Sequence, residues 1–175
     1  MVILSATLSY SIYEKRKIEI LSQEAESPIL QKLPDFQLDN FYTKDLIERE
    51  KYLAKYKLGV FVHFWGTWCG PCEAELPDFI SFAKKFKETD VGFLLVAVND
   101  DDKKIKKFMK RFSKLPNHMI IVHDRTGKMM SKFGTVKVPE TFLFNQKGKH
   151  LNKYTGPQNW DSAGFYKIAT KFLSP

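Results

Sequence analysis

The chain holds only two cysteines, Cys69 and Cys72. They stand two residues apart within Trp68-Cys69-Gly70-Pro71-Cys72, directly after the apolar run Val60-Phe61-Val62-His63-Phe64-Trp65. If Cys72 lies one helical turn after Cys69, both sulfurs fall on one helix face and can close a small disulfide ring without rearranging the backbone. Such a bond can form and break repeatedly, so the pair reads as redox chemistry. Unpaired backbone N–H groups and the macrodipole at a helix N-terminus favour a thiolate, which predicts a depressed pKa and a nucleophilic role for Cys69. Cys72, further into the helix, is then the resolving thiol. Pro71 suits the first turn, where its missing N–H is not needed, and Gly70 lets another backbone approach the sulfur.

Other readings compete. A C-x-x-C pair can be half of a zinc site, with His118 and His123 as the other half. Yet His118-Met119-Ile120-Ile121-Val122-His123 has the pattern of a strand, where an odd separation sends the two imidazoles to opposite faces. The gap from Cys72 to His118 is also far longer than in compact zinc fingers. A permanent structural disulfide across so short a loop removes little unfolded-state entropy. Two unrelated buried thiols fit poorly with the Trp, Gly and Pro around them.

The 175 residues suffice for one domain with a filled core, and 14% aromatics with fifteen Phe predict a densely packed interior. The net charge of +8 raises the question of an anionic partner. Much of it comes from Lys103, Lys104, Lys106, Lys107, Lys110, Arg111 and Lys114, interleaved with Ile105, Phe108, Met109 and Phe112 at i, i+3, i+4, i+7 spacing. That is the polar face of an amphipathic helix, with docking of an acidic partner or anionic lipid as the alternative. No nucleic-acid-binding motif accompanies the charge.

Residues 1–32 read as an N-terminal anchor remnant or linker, and 33–175 as the folded domain. The apolar stretch from Met1 to Tyr13 is too short to span a bilayer alone and lacks the basic start and cleavage site of a secretory signal. Two readings stand: the end of a signal anchor, or an ordinary helix end packed on the domain. The basic cluster Lys15-Arg16-Lys17 counts against the anchor. Ile18 to Gln31 reads as a linker or lead-in helix.

Within the domain, Pro34 to Leu38 is a strand candidate and Lys44 to Tyr56 a charged helical stretch. Gly59 to Trp65 and Val91 to Val98 are continuous apolar runs of the kind found in buried parallel strands. Between them, residues 70 to 87 place Leu76, Phe79, Ile80, Ala83 and Phe86 on one helical stripe. Asp100, Asp101 and Asp102 open the basic helix as capping and dipole partners. His118 to Val122 is a third strand, followed by a turn at Asp124 to Gly127 and a short helix ending near Gly134. Thr141 to Phe144 and Lys149 to Tyr154 form a hairpin, with His150 on the surface. Trp160 to Leu173 closes the chain as a helix with Phe165, Ile168, Ala169 and Phe172 on one face. Right-handed crossovers then give a mixed α/β sheet covered by helices on both sides.

The motif Phe64-Trp65-Gly66-Thr67-Trp68-Cys69-Gly70-Pro71-Cys72-Glu73-Ala74-Glu75-Leu76-Pro77 resembles the membrane-anchored, extracytoplasmic branch of thioredoxin-fold proteins often called TlpA/ResA/DsbE-like. Val96-Ala97-Val98-Asn99, the extra helix and strand after it, and Val138-Pro139-Glu140-Thr141-Phe142-Leu143-Phe144 extend the likeness from about Pro34 to Leu173. The resemblance implies a thioredoxin fold with an N-terminal extension and a helix–strand insertion. It implies a cis Val138-Pro139 bond whose loop lies against the disulfide, offers backbone groups to an extended substrate and keeps metal ions from Cys69. It also implies an acidic group near the thiols that assists proton transfer, a role open to Glu140 or set against a solvent-exposed glutamate there. Pro77 is expected to kink the active-site helix. His63 stands where thioredoxin itself carries a buried acid that serves the second cysteine, and it either takes the Cys72 proton or merely bonds the backbone. Trp68 is expected to shape the thiol's surroundings and Trp65 to sit in the core.

These readings converge on a thiol–disulfide oxidoreductase that reduces protein disulfides outside the cytoplasm, with no bound cofactor because the sulfurs carry the electrons. The resemblance implies clients such as apocytochrome c or other metalloproteins in assembly, and electrons from a membrane thiol donor. The alternatives are an oxidant or general thioredoxin, and a redox-inert module that uses Cys69 and Cys72 as copper or zinc ligands.

Overall fold

Seven residues without a charge, Gly59–Trp65 (β3), occupy the middle of a five-stranded sheet, and every one of them is buried. The computed structural model describes residues 30–112 and 114–174. The readings made for residues 1–29 lie outside the described residues. The two short strands Gln37–Asp39 (β1) and Leu46–Glu48 (β2) pair antiparallel, and the helix Arg49–Leu53 (α1) follows directly. After β3 come the helix Gly70–Lys84 (α2), the strand Val91–Val98 (β4), the helix Asp102–Met109 (α3) and the strand Met119–Asp124 (β5). A short helix Lys128–Phe133 (α4), the hairpin Glu140–Asn145 (β6) and His150–Thr155 (β7), and the helix Ala163–Leu173 (α5) complete the chain.

The sheet order is β5-β4-β3-β6-β7, with β3, β4 and β5 parallel, β6 antiparallel to β3, and β7 antiparallel to β6. This is the thioredoxin-like α/β fold, a mixed central sheet flanked by helices. The runs from Gly59 and Val91 form the two inner parallel strands over the expected ranges, because uninterrupted apolar residues suit a strand covered on both faces.

The period of two along β3 divides the core. Phe61, His63 and Trp65 project to the face that α2 covers, where Phe61 meets Phe82 edge-on at 5.4 Å between ring centres and stacks on Phe93 at 5.0 Å. Phe64 projects to the opposite face and packs on Phe133 of α4 and Phe142 of β6. Trp160, in the loop before α5, is fully buried on the α2 side among Phe79, Phe82 and Phe165.

Several local expectations shift. Lys44 to Tyr56 is not one helix. Leu46–Glu48 pairs with β1, Leu38 opposite Ile47, and only Arg49–Leu53 is helical. Burying Ile47 in this small ladder outweighs the charged, helix-favouring composition around it. In α5 the buried side runs through Ala169 and Leu173, with Phe165 partly buried, while Ile168 and Phe172 are exposed. The apolar stripe is broad enough to be read one residue off. Trp160 lies outside that helix, which starts after the Ser162 cap. His150 is half-buried rather than on the surface, its ring 5.5 Å from that of Phe144. Pro77 does lie inside α2.

Gly59 sits where β3 crosses β6, and a Cβ there would lie 2.0 Å from the Phe144 carbonyl oxygen. The obstacle is the backbone of the neighbouring strand, which cannot swing aside. Gly59→Ala is therefore expected to destabilise the fold by roughly 2 kcal/mol or more in urea unfolding, at the upper part of the range for overpacked sites. An unchanged midpoint would contradict this register of β3 on β6.

Candidate functional site

The disulfide sits where β3 delivers the chain to α2. Cys69 is the residue before the first helical turn, in extended conformation, and its sulfur accepts a hydrogen bond from the Cys72 backbone N–H at 3.2 Å. Pro71 lies in the first turn. Cys69 and Cys72 are joined as a disulfide, their Cα atoms 5.3 Å apart. Both cysteines are buried, Cys72 more deeply. A Cβ built on Gly70 meets nothing within 4 Å, so the space beside the disulfide is open to another chain.

The loop before Cys69 is pinned from two sides. The backbone N–H and hydroxyl of Thr67 donate to the two carboxylate oxygens of Asp100, at 2.6 and 2.8 Å. The indole N–H of Trp68 donates to the Val98 carbonyl at 3.1 Å, while its ring remains 57% exposed next to Cys69. Gly66 makes this possible, since a Cβ there would lie 2.6 Å from the Trp68 indole nitrogen. Of the three aspartates read as helix-capping, only Asp101 caps α3, accepting from Lys103 and Lys104 N–H. Asp100 holds Thr67, and Asp102 pairs with His123 and Arg125.

The Val138-Pro139 bond is cis, as the resemblance implied. Its loop brings the Val138 carbonyl oxygen to 3.8 Å from the Cys69 sulfur. Val136, two residues earlier, is 87% exposed. Trp68, beside Cys69 in sequence, and Val136, in the stretch leading to the cis-proline, are thus both exposed apolar side chains.

Glu140 and His63, both considered for proton transfer, lie on opposite faces of the sheet. Glu140 pairs with Phe64 across β3 and β6, whereas Thr141 pairs with His63, and paired residues share a face. Glu140 is buried, not solvent-exposed, and its carboxylate is held by Lys153 Nζ at 2.9 Å. His63 is wholly buried on the α2 face, hydrogen-bonded through Nδ1 to Thr141 Oγ1 at 2.8 Å and stacked on Phe79 at 4.5 Å. Burial pushes its pKa down to about 3, so the imidazole is neutral at neutral pH and a weak base.

The carboxyl group on that face is Glu75, which the sequence reading did not single out. It follows Cys72 by three residues on α2, which puts the two on one side of the helix, and both are buried. Its Oε2 accepts the Gln158 backbone N–H at 2.8 Å and the Trp160 indole N–H at 2.7 Å. Burial raises its pKa, partly offset by those two donors. Its Oε1 has no hydrogen-bond partner and lies 3.8 Å from His63 Nε2, which also has none. With His63 neutral, this contact is not an ion pair at neutral pH. The signal was present in the sequence, since extending the stripe Phe79-Leu76 back by one turn reaches Glu75 and Cys72.

His118 and His123 do not join the cysteines. His118 Nε2 donates to the Ala83 carbonyl, and His123 Nδ1 bonds Asp102. Among the described residues no group of three or more His, Cys, Asp or Glu is arranged to hold a metal.

A buried strand, a helix opening on a C-x-x-C disulfide and a cis-proline loop against its first sulfur define a thioredoxin-fold redox protein. Residues 30–168 match the Redoxin family model, and the chain belongs to the Redoxin family. It is 30% identical over 159 residues to the thiol-disulfide oxidoreductase ResA of Bacillus cereus, covering 90% of this chain and 85% of that one. Among solved structures, it superposes on a thiol:disulfide interchange protein DsbE of Chlorobium tepidum with a TM-score of 0.69 at 22% identity, covering 82% of this chain and 96% of that one. StoA of Bacillus subtilis gives a TM-score of 0.61 at 25% identity over 77% and 96% of the two chains. The protein is a thiol–disulfide oxidoreductase of the ResA/DsbE type.

The two buried groups His63 and Glu75 give stability opposite pH slopes. His63 titrates near 6.5 when unfolded and near 3 when folded, so the unfolded chain takes up the proton first and stability falls with acidification across that window, by up to about 1.4 kcal/mol per pH unit. Glu75, with a raised folded pKa, stabilises fully below its unfolded value of about 4.3 and loses that contribution as pH rises through the folded one. The slopes oppose each other, so Glu75→Gln in the oxidised protein should steepen the acid-side loss of stability in urea unfolding between about pH 4.3 and 6.5. Identical profiles for variant and parent would contradict the assignment of Glu75 as a buried titrating acid.

Proposed function

We propose that the protein is a reductase of protein disulfides that works outside the cytoplasm, with Cys69 as nucleophile and Cys72 as resolving thiol. The observation that carries this reading is the asymmetry of the pair. Cys69 lies at a helix N-terminus beside open space and the exposed Trp68, whereas Cys72 is sealed in the core on the same helix side as Glu75, which has one unpaired carboxyl oxygen. In the reduced protein the Cys69 thiolate attacks one sulfur of a client disulfide and the other client sulfur leaves as a thiolate. Cys72 passes its proton to the Glu75 carboxylate. The Cys72 thiolate then attacks Cys69, expelling the second client thiolate and closing the Cys69–Cys72 disulfide. The client gains two electrons and the protein loses two.

Trp68, Gly70, Pro71, Val138 and Pro139 frame the docking site: Gly70 leaves room, and the carbonyl of Val138 offers a backbone acceptor to an extended client segment. Glu140 is paired with Lys153 on the opposite face of the sheet. The resemblance to the membrane-anchored, extracytoplasmic branch supports apocytochrome c or another metalloprotein in assembly as client, and a membrane thiol donor that returns the protein to the dithiol. On this reading residues 1–32 connect the domain at 33–175 to the membrane.

Cys69→Ser should lower dithiothreitol-coupled insulin reduction by at least about a thousandfold. Cys72→Ser should accumulate a mixed disulfide between Cys69 and the client. Full activity in Cys69→Ser, or copper or zinc retained by the purified wild-type protein through the two cysteines, would overturn the reading in favour of metal carriage.

A further inference from the structure

Oε1 of Glu75 and Nε2 of His63 are buried, lie 3.8 Å apart and lack any other partner. Two bare acceptors facing each other in a medium without water are repulsive, so a proton belongs between them. Its position is constrained from both ends. Oε2 of Glu75 already accepts two N–H groups, so when the carboxyl group is protonated the hydrogen sits on Oε1, facing His63. At the other end, Nδ1 of His63 is bonded to a hydroxyl, which donates or accepts as required.

At 3.8 Å the pair is not itself hydrogen-bonded, and closing that gap gives two networks that differ by one proton. In the first, Glu75 Oε1–H donates to Nε2 while Nδ1–H donates to Thr141 Oγ1. In the second, the Glu75 carboxylate accepts from Nε2–H while the Thr141 hydroxyl donates to Nδ1. The imidazole is neutral in both and changes tautomer between them. We propose that His63 and Thr141 are positioning residues that hold Glu75 and couple its titration to a tautomer switch, so that the carboxyl group beside Cys72 keeps a satisfied partner whether or not it carries the proton.

The surroundings leave the switch to these groups. Toward His63, α2 contributes Glu75, on the helix side that also carries Cys72, and the loop before α5 contributes Trp160. On the same sheet face β6 contributes Thr141, with Tyr154 of β7 next along the row, and β4 places Leu95 opposite His63. Glu140 and Lys153 pair on the other face. Phe79, stacked on the ring, fixes its plane against the sheet.

The proposal rests on Glu75 as the proton acceptor for Cys72, and the test separates the two claims. Imidazole nitrogen shifts of His63 and the carboxyl carbon shift of Glu75 are followed by NMR against pH in the oxidised wild-type protein. The expected result is a change from the Nδ1–H to the Nε2–H tautomer as pH rises, with the same midpoint as Glu75. Thr141→Val keeps side-chain volume but removes the acceptor for Nδ1–H, and a buried N–H is the costlier group to orphan. The variant should therefore favour the Nε2–H tautomer and lower the Glu75 midpoint by about one pH unit, corresponding to a tenfold change in proton affinity. A single tautomer throughout the titration of Glu75, or an unmoved midpoint in Thr141→Val, would overturn the coupling. The pH profile for resolution of a preformed Cys69–client mixed disulfide should shift with the midpoint. If the midpoint moves and that profile does not, the coupling stands and the role of Glu75 in resolution falls.

Discussion

The buried indole of Trp160 joins the hydrophobic core to the chemistry. Its ring lies 4.7 Å from Phe79, 4.5 Å from Phe165 and 5.5 Å from Tyr154 between centres, so one side chain links α2, the loop it stands in, α5 and β7. Aromatic contacts of this kind contribute about 0.5–1.5 kcal/mol each beyond the area they bury. Its N–H ends on Oε2 of Glu75 at 2.7 Å. The same packing that closes the C-terminal half of the fold over the sheet therefore leaves the other carboxyl oxygen, Oε1, facing His63. A truncation at Trp160 would open a cavity and free the carboxyl group in one step.

The sheet keeps two acids apart by strand alternation. Glu140 lies on the α4 face, neutralised by Lys153, and Glu75 lies on the α2 face with one oxygen unpaired. Glu140 has a lysine at 2.9 Å, whereas Glu75 lies among aromatic rings and is pushed toward its neutral form by burial. Two glutamates of similar depth thus acquire different chemical characters from their neighbours. Only Glu75 shares its helix face with Cys72.

The architecture was legible because β3 and β4 carry signals that admit one interpretation: seven and eight uninterrupted buried residues, separated by an amphipathic helix that opens at the cysteines. The cis Val138-Pro139 loop was legible through family resemblance and not from composition. Residues 44–56 misled because local charge favours a helix, while the β1–β2 ladder depends on pairing across the six residues between the strands. In α5 the stripe was read one residue off because Ile168 and Phe172 are as apolar as the residues that are buried. At the site, Cys69 and Cys72 declared themselves, but Glu75 looked like one more surface charge on a charged helix. Its partners Gln158 and Trp160 are more than eighty residues away, a relation that no local pattern carries.

The functional account turns on direction: a dithiol that gives electrons to client disulfides, kept reduced by a donor. The most direct test is the reduction potential of the Cys69–Cys72 couple, measured by equilibration in glutathione or dithiothreitol buffers with thiol trapping. A value near about −250 mV or lower is predicted, in the range of protein reductants. A value between about −180 and −120 mV, in the range of isomerases and oxidants, would contradict the account.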